Sequence, residues 1–329
     1  MPRFPRTDRR RALIGLASLP TLAAAAASDP GRAAMVVGFP KGTAHDVVAE
    51  VLAEAAGGVL GVPHAVEHRP GTSGRIAIEH VRTAPADGRT LLLSNSGMLV
   101  LGPLVFRDLP YDPVDRLQPV VLGCRFELAL NVRAELPVTD LASLVDWARR
   151  FGSRGEGVSV ASHGAGTVSH VMIQALNHAT GLRLHHLPYR GAVPARQALD
   201  DGHAALLFDT VGDSIGPVQA RRARVLATTG SSRSPFLPSI PTIGEFGLPG
   251  LVANGWFGVN AALTTPSSIV AALNAAFDAT LASVDVRQRL AEAGLVPVGG
   301  SPQAFAQAVA EDRQRWARVL KMIGFSLER

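Results

Sequence analysis

Gly164–His170 reads G-A-G-T-V-S-H, and this turn falls where a β-type run hands over to a helical one. Gly157–Ala161 (G-V-S-V-A) precedes it. Val168, Val171, Met172, Ala175, Leu176 and Ala179 follow at helical spacing, and Gly181 stops the pattern. A glycine-rich turn that opens a helix presents free backbone N–H groups and the positive end of the helix dipole, so it suits a carboxylate or phosphate. A second such turn lies roughly 120 residues upstream. There Val36, Val37 and Gly38 lead into F-P-K-G-T-A-H-D, and Val47, Val48, Val51, Leu52 and Ala55 form one helical stripe. Two such turns predict a cleft with a helix N-terminus on either side.

The rest of the chain agrees with an α/β architecture. Strand-like runs at Met35–Gly38, Thr90–Leu93, Val120–Leu122, Leu128–Val132, Val158–Ala161, Ala204–Phe208 and Val225–Thr228 alternate with helical patterns. The helices are expected over Asp46–Ala56, Leu141–Arg150, Ser169–Ala179, Pro194–Asp200, Ser267–Ser283 and Pro302–Ile323, with Asp140 and Ser301 as N-caps. Proline-rich stretches at Leu109–Pro119 and Ser231–Gly250 resist helix and central strand. They bracket a middle block, so the chain is expected to leave one domain, build a second and return. With 329 residues there is enough chain for two sizeable cores.

A charged fraction of 18% against 47% hydrophobic residues marks a folded protein rather than a disordered one. The net charge of +5 is concentrated at the start: residues 1–27 hold five arginines and one aspartate, leaving the remainder near +1. With no basic patch and only 5% aromatics, a nucleic-acid partner is not indicated. Arg9–Arg11, the apolar run Ala12–Leu19, Pro20 and the alanines 23–27 follow the order of an export signal, expected over residues 1–27. A membrane anchor would need about 20 apolar residues, longer than this run. The paired arginines admit a twin-arginine route, but Asp8 and Ala12 fit that pattern poorly. Cys124 is the single cysteine and is expected to be a small buried side chain.

Several motifs occur in order: P-A-D-G-R-T-L-L-L (Pro85–Leu93), L-P-Y-D-P (Leu109–Pro113), G-A-G-T-V-S-H, L-P-Y-R-G (Leu187–Gly191) and G-H-A-A-L-L-F-D (Gly202–Asp209). R-S-P-F-L-P-S-I-P-T-I-G-E-F-G (Arg233–Gly247) and Trp256 follow. In these the chain resembles the Bug-type, TctC-like solute receptors of tripartite tricarboxylate transporter systems. The resemblance implies a type II periplasmic binding-protein fold, two α/β domains joined by crossover strands with a ligand cleft between them. It also implies a periplasmic, non-enzymatic receptor for a small carboxylate, serving a membrane permease or a membrane sensor, with no cofactor. The domains are expected at 28–125 plus 249–329 and at 126–248. The chain departs from the family pattern at Lys41, Thr43, Glu50, His68, His163 and Ala165.

The candidate ligand-binding set from the first turn and its surroundings is Phe39, Lys41, Gly42, Thr43, Asp46 and Ser96. Thr43 and Asp46 have capping-box spacing, so capping alone competes with ligand contact. The middle block adds His163, Gly166, Thr167, Ser169, His170, Tyr189, Arg190, Gly191 and Asp209. Thr167 and Ser169 can cap a helix or bind a carboxylate. Arg190 can grip an anion bidentately or sit in solvent. His170 is read as either structural or ligand-binding, and Asp209 as either a turn cap or an acceptor for a ligand amine or hydroxyl. The alternative function is an exported hydrolase or metal-dependent enzyme using the His163/His170 region. Against it, the chain lacks H-E-x-x-H, a cysteine cluster, G-x-S-x-G and a Walker sequence, and Ser169 stands where a dinucleotide fingerprint needs its third glycine.

Overall fold

The computed structural model describes residues 33–106, 109, 112–152 and 157–327. The expected signal segment, residues 1–27, lies outside them, as do Pro110 and Tyr111 of the L-P-Y-D-P motif. The chain builds β1 (Ala33–Val37), α1 (Ala44–Leu60), β2 (His64–His68), α2 (Arg75–Arg82), β3 (Thr90–Asn95), α3 (Gly102–Val105) and β4 (Leu117–Arg133). It continues through α4 (Leu141–Gly152), β5 (Val158–Ser162), α5 (Val168–Thr180), β6 (Leu184–Pro188), α6 (Ala192–Asp200), β7 (Leu206–Thr210), α7 (Val211–Gln219) and β8 (Ala223–Thr228). It ends with β9 (Asn254–Ala262), α8 (Ser267–Ala282), α9 (Val284–Glu292), β10 (Val296–Pro297) and α10 (Pro302–Ile323).

The strand order is β2-β1-β3-β9-β4-β7-β5-β6, with β8 and β10 also on β4. Strand β4 organises it. Leu117–Glu127 pair antiparallel with β9, whereas Leu128–Val132 pair with β7 and Ala129–Arg133 with β8. One strand therefore serves two lobes, the first centred on β1, β3 and β9 and the second on β5 and β7. The separate strands expected at Val120–Leu122 and Leu128–Val132 are this single strand. Pro119, expected to block a strand, is accommodated where the β4–β9 register shifts between Pro119 and Val121.

Periodicity placed α1, α4, α5, α6, α8 and α10 within a few residues, and Asp140 and Ser301 do cap theirs. It missed β2, β6, β9 and β10, and helices α2, α3, α7 and α9. The charged edge strand β2 reads H-A-V-E-H, β9 contains Gly255 and Gly258, and α7 carries Pro217 in its interior. Each breaks the local rule that would reveal it. In β9 the glycine has a packing cause: a Cβ on Gly258 would lie 2.3 Å from the buried Phe305 ring of α10. Helix α10 settles on that flat patch, and the Trp256 indole N–H donates to Asp312 at 3.0 Å. Beyond α10, the Leu327 N–H donates to Val105 O, and the Phe325 ring meets the edge of His170 at 4.8 Å.

Candidate functional site

Between the lobes lies a cleft with about 850 Å³ of empty space, its solvent mouth included. Phe39, Lys41, Thr43 and Ser96 of the first-lobe candidates line it, as do His163, Gly166, Thr167, Ser169, Arg190 and Gly191 of the second. Tyr189 lines an adjoining hollow of about 1200 Å³ that shares Phe39, His163 and Arg190 with the first. Gly42, Asp46, His170 and Asp209 line neither.

The first turn is held from behind. The Asp46 carboxylate accepts the Gly42 N–H at 2.5 Å and the Thr43 N–H at 3.2 Å, and its other oxygen lies 3.4 Å from His68 Nε2. His68 Nδ1 meets Phe39 O at 2.9 Å, so His68 ties β2 to the ligand loop. Asp46 organises the turn, and Thr43, Ala44 and His45, which open α1, line the cavity.

Thr43 is oriented by a chain of hydrogen bonds. The Met98 N–H donates to Asn95 Oδ1, which makes Asn95 Nδ2 the donor to His45 Nε2 at 3.1 Å. His45 therefore carries its proton on Nδ1, 3.0 Å from Thr43 Oγ1. Burial first, then the nearby His163 and His68, push His45 down to about 3, so it stays neutral. With its oxygen accepting from His45, the Thr43 hydroxyl keeps its own proton for a ligand. Buried Ser96 Oγ has no partner among the described residues, and Ser96 lines the same cavity.

In the second turn the hydroxyl roles divide. Thr167 Oγ1 donates to Gly164 O at 2.8 Å and caps α5 by accepting the His170 N–H. Ser169 Oγ accepts the His163 N–H at 3.2 Å and sits 3.0 Å from Thr167 Oγ1. Thr167 has committed its proton to Gly164 O, so Ser169 is the donor in the contact between the two hydroxyls, and a ligand at Ser169 competes with Thr167 Oγ1 for that proton. Gly166 has φ 75°, and a Cβ there would approach the Phe106 ring to 2.7 Å, so glycine is required on both counts. His170 faces inward: its Nδ1 accepts the Gly166 N–H, and its ring stacks on His186 at 3.5 Å. Ser73 closes the cleft from the first lobe by donating to Ala165 O at 2.9 Å.

Asp209 is 1% exposed and lies behind the wall. It holds His163 Nε2 at 2.9 Å and Arg196 Nε at 3.4 Å, in ion-pair contact without hydrogen-bond alignment. Asp213 does line the cavity, beside Thr210 at the start of α7. Burial, then the Asp209 carboxylate, raises its pKa to about 6. Sequence reasoning missed Asp213, His45, Asn95, Ser73, Phe126 and Phe257. The first four sit near turns and were within reach. The two phenylalanines carry no local signal. Lys41 and Arg190 are exposed, and neither has an ion-pair partner among the described residues.

The enzyme alternative finds no constellation here. No serine or cysteine side chain meets the His163 ring among the described residues, and no group of three His, Cys, Asp or Glu could hold a metal. Burial raises the Cys124 thiol far above its ordinary value, which silences it as a nucleophile.

Comparison with known proteins agrees with a receptor. The family model described as the tripartite tricarboxylate transporter family receptor matches residues 48–325. Protein BugT of Bordetella pertussis is 32% identical over 295 residues, covering 89% of this chain and 90% of that protein. The structure of R. palustris Rpa4515 with adipate has 32% identity and a TM-score of 0.85, covering 91% of this chain and 98% of its own. MatC from Rhodopseudomonas palustris, with bound malate, has 31% identity and a TM-score of 0.81, covering 88% and 99%. These are solute-binding receptors of the periplasmic binding-protein fold, not enzymes. On these matches, and on the cleft that two helix-opening turns frame, the chain belongs to the receptor family of the tripartite tricarboxylate transporters.

Proposed function

We propose that the protein is an exported receptor that closes two domains around a small organic carboxylate and delivers it to a tripartite-type permease or a membrane sensor. One observation carries this reading: the N-termini of α1 and α5, from opposite lobes, open into one cavity. There the Thr43 hydroxyl retains a proton to donate, Ser169 lines the second turn, and Lys41 and Arg190 add positive charge. Inner N–H groups and helix dipoles favour an anion without a buried cationic side chain. The adipate and malate bound by Rpa4515 and MatC support the ligand class.

In this reading residues 1–27 direct export and are removed, and the mature protein works in the periplasm. Residues 28–125 with 249–329 form one domain and 126–248 the other. They hinge where β4 changes partners and where Thr229 O accepts the Ala253 N–H on the return. Native mass spectrometry of gently purified protein is expected to show a retained small acid, and calorimetric titration to show binding from a panel of carboxylates. A protein that retains none and binds none is not this receptor.

A further inference from the structure

The cavity has an aromatic wall. Phe39 lies 4.6 Å from the His45 ring, His45 4.5 Å from Phe257, and Phe257 4.7 Å from Phe126. All four rings line the cleft, in one continuous run drawn from the first turn, α1, β9 and β4. Leu128, Val168 and Val193 add aliphatic surface from other elements. Such lining suits an apolar ligand body better than the hydroxylated chain of a small polar acid.

The charge pattern is equally selective. Helix α7 also opens onto the cavity, but its N-terminus already has an anion. Thr210 Oγ1 accepts the Asp213 N–H, and the Asp213 carboxylate stands in the first turn. The groups facing it are Asp209 on β7, Arg196 on α6 at 3.5 Å, and His163 from the second ligand turn. One arginine shared by two carboxylates leaves this end of the cavity without spare positive charge. A ligand carboxylate here would meet like charge in a partly desolvated site.

We infer that the ligand is a monocarboxylate with an aromatic or branched apolar body, and that Asp213 excludes dicarboxylates. The carboxylate is held at Thr43 and Ser169, the body lies against the Phe126–Phe257 wall, and the Asp213 end accepts only an uncharged or hydrogen-donating group. This inference rests on the carboxylate-receptor reading and narrows it.

The test is calorimetric titration at pH 7.5 of ligand-free protein, Asp213→Asn and Phe126→Ala, with thermal melting of each to verify folding. The probes are phenylacetate and 4-methylpentanoate against succinate, malate and adipate. A monocarboxylate is expected to bind at least about 10-fold more tightly than every dicarboxylate, and Asp213→Asn to narrow that gap by about 10-fold or more. Phe126→Ala is expected to weaken the monocarboxylate selectively. A dicarboxylate that binds best to the unaltered protein overturns the inference and leaves the receptor reading standing. A gap unchanged in folded Asp213→Asn also overturns it. Failure of all five probes to bind counts against the carboxylate reading itself.

Discussion

The imidazole rings of His170 and His186 lie parallel, 3.5 Å apart between centroids and tilted by 13°. His170 accepts the Gly166 N–H through Nδ1, His186 Nε2 is 2.5 Å from Ser162 Oγ, and Phe325 of the C-terminal tail packs against the His170 ring. The stack therefore underlies the second ligand turn and requires neutral rings.

Acidification should loosen this stack. Burial, then His186, lowers His170 to about 3, and burial lowers His186 to about 4. Their folded values lie below the ordinary 6.5, so the unfolded chain binds more protons between 6.5 and about 3–4. Stability is fully present above 6.5 and falls as pH drops through that window, by about 1.4 kcal/mol per pH unit for each ring held neutral. Asp213 works oppositely: raised to about 6, it favours folding as pH falls from there toward its ordinary 3.8. Thermal melting from pH 7 to 4.5 should fall for the native protein and fall less steeply for His186→Gln. Parallel curves would refute the role of the pair.

Asp46 is expected to matter through the loop it holds. Asp46→Ala removes the acceptor of two backbone N–H groups and the partner of His68, a loss of about 1.5–3 kcal/mol in denaturant unfolding. Asp46→Asn, which keeps one acceptor, should lose less.

Thr167 and Ser169 should separate under mutation. Thr167→Val removes the α5 cap, so about 0.5–2 kcal/mol of stability is expected to go with it. Ser169→Ala should instead weaken affinity for a verified carboxylate while leaving the Thr167 cap in place. Paired melting and titration curves check this, and equal effects of the two variants on both measurements would contradict the assignment.

Ser73 donates across the cleft to Ala165 O from a left-handed backbone position with φ 56°. Ser73→Gly should relieve that conformation while removing the bridge. Small-angle scattering of ligand-free protein is expected to show a more open molecule than the native chain. Unchanged dimensions would rule out Ser73 as a tie between the lobes.

Export makes a separate prediction. N-terminal sequencing of protein recovered from the periplasm should begin beyond residue 27, and a sequence starting at Met1 would contradict the signal reading.

The alternation of strands and helices, the two ligand turns and the caps at Asp140, Thr167 and Ser301 were legible in the sequence because each depends on residues within a few positions of one another. A cap needs a side-chain oxygen three residues from an N–H, and a turn needs a glycine where φ is positive. The tertiary structure alone decided what faces the cavity. Phe39, His45, Phe126 and Phe257 form one aromatic wall only after β9 returns to lie beside β4, and His68 reaches Asp46 only through the β1–β2 pairing. Thr167 read equally as a cap or a carboxylate contact until Gly164 O was seen to take its proton, and Asp209 as a turn cap or a ligand acceptor until its side chain was seen buried behind the wall. Side-chain direction and burial arise from contacts between residues far apart in the chain, and no local spacing encodes them.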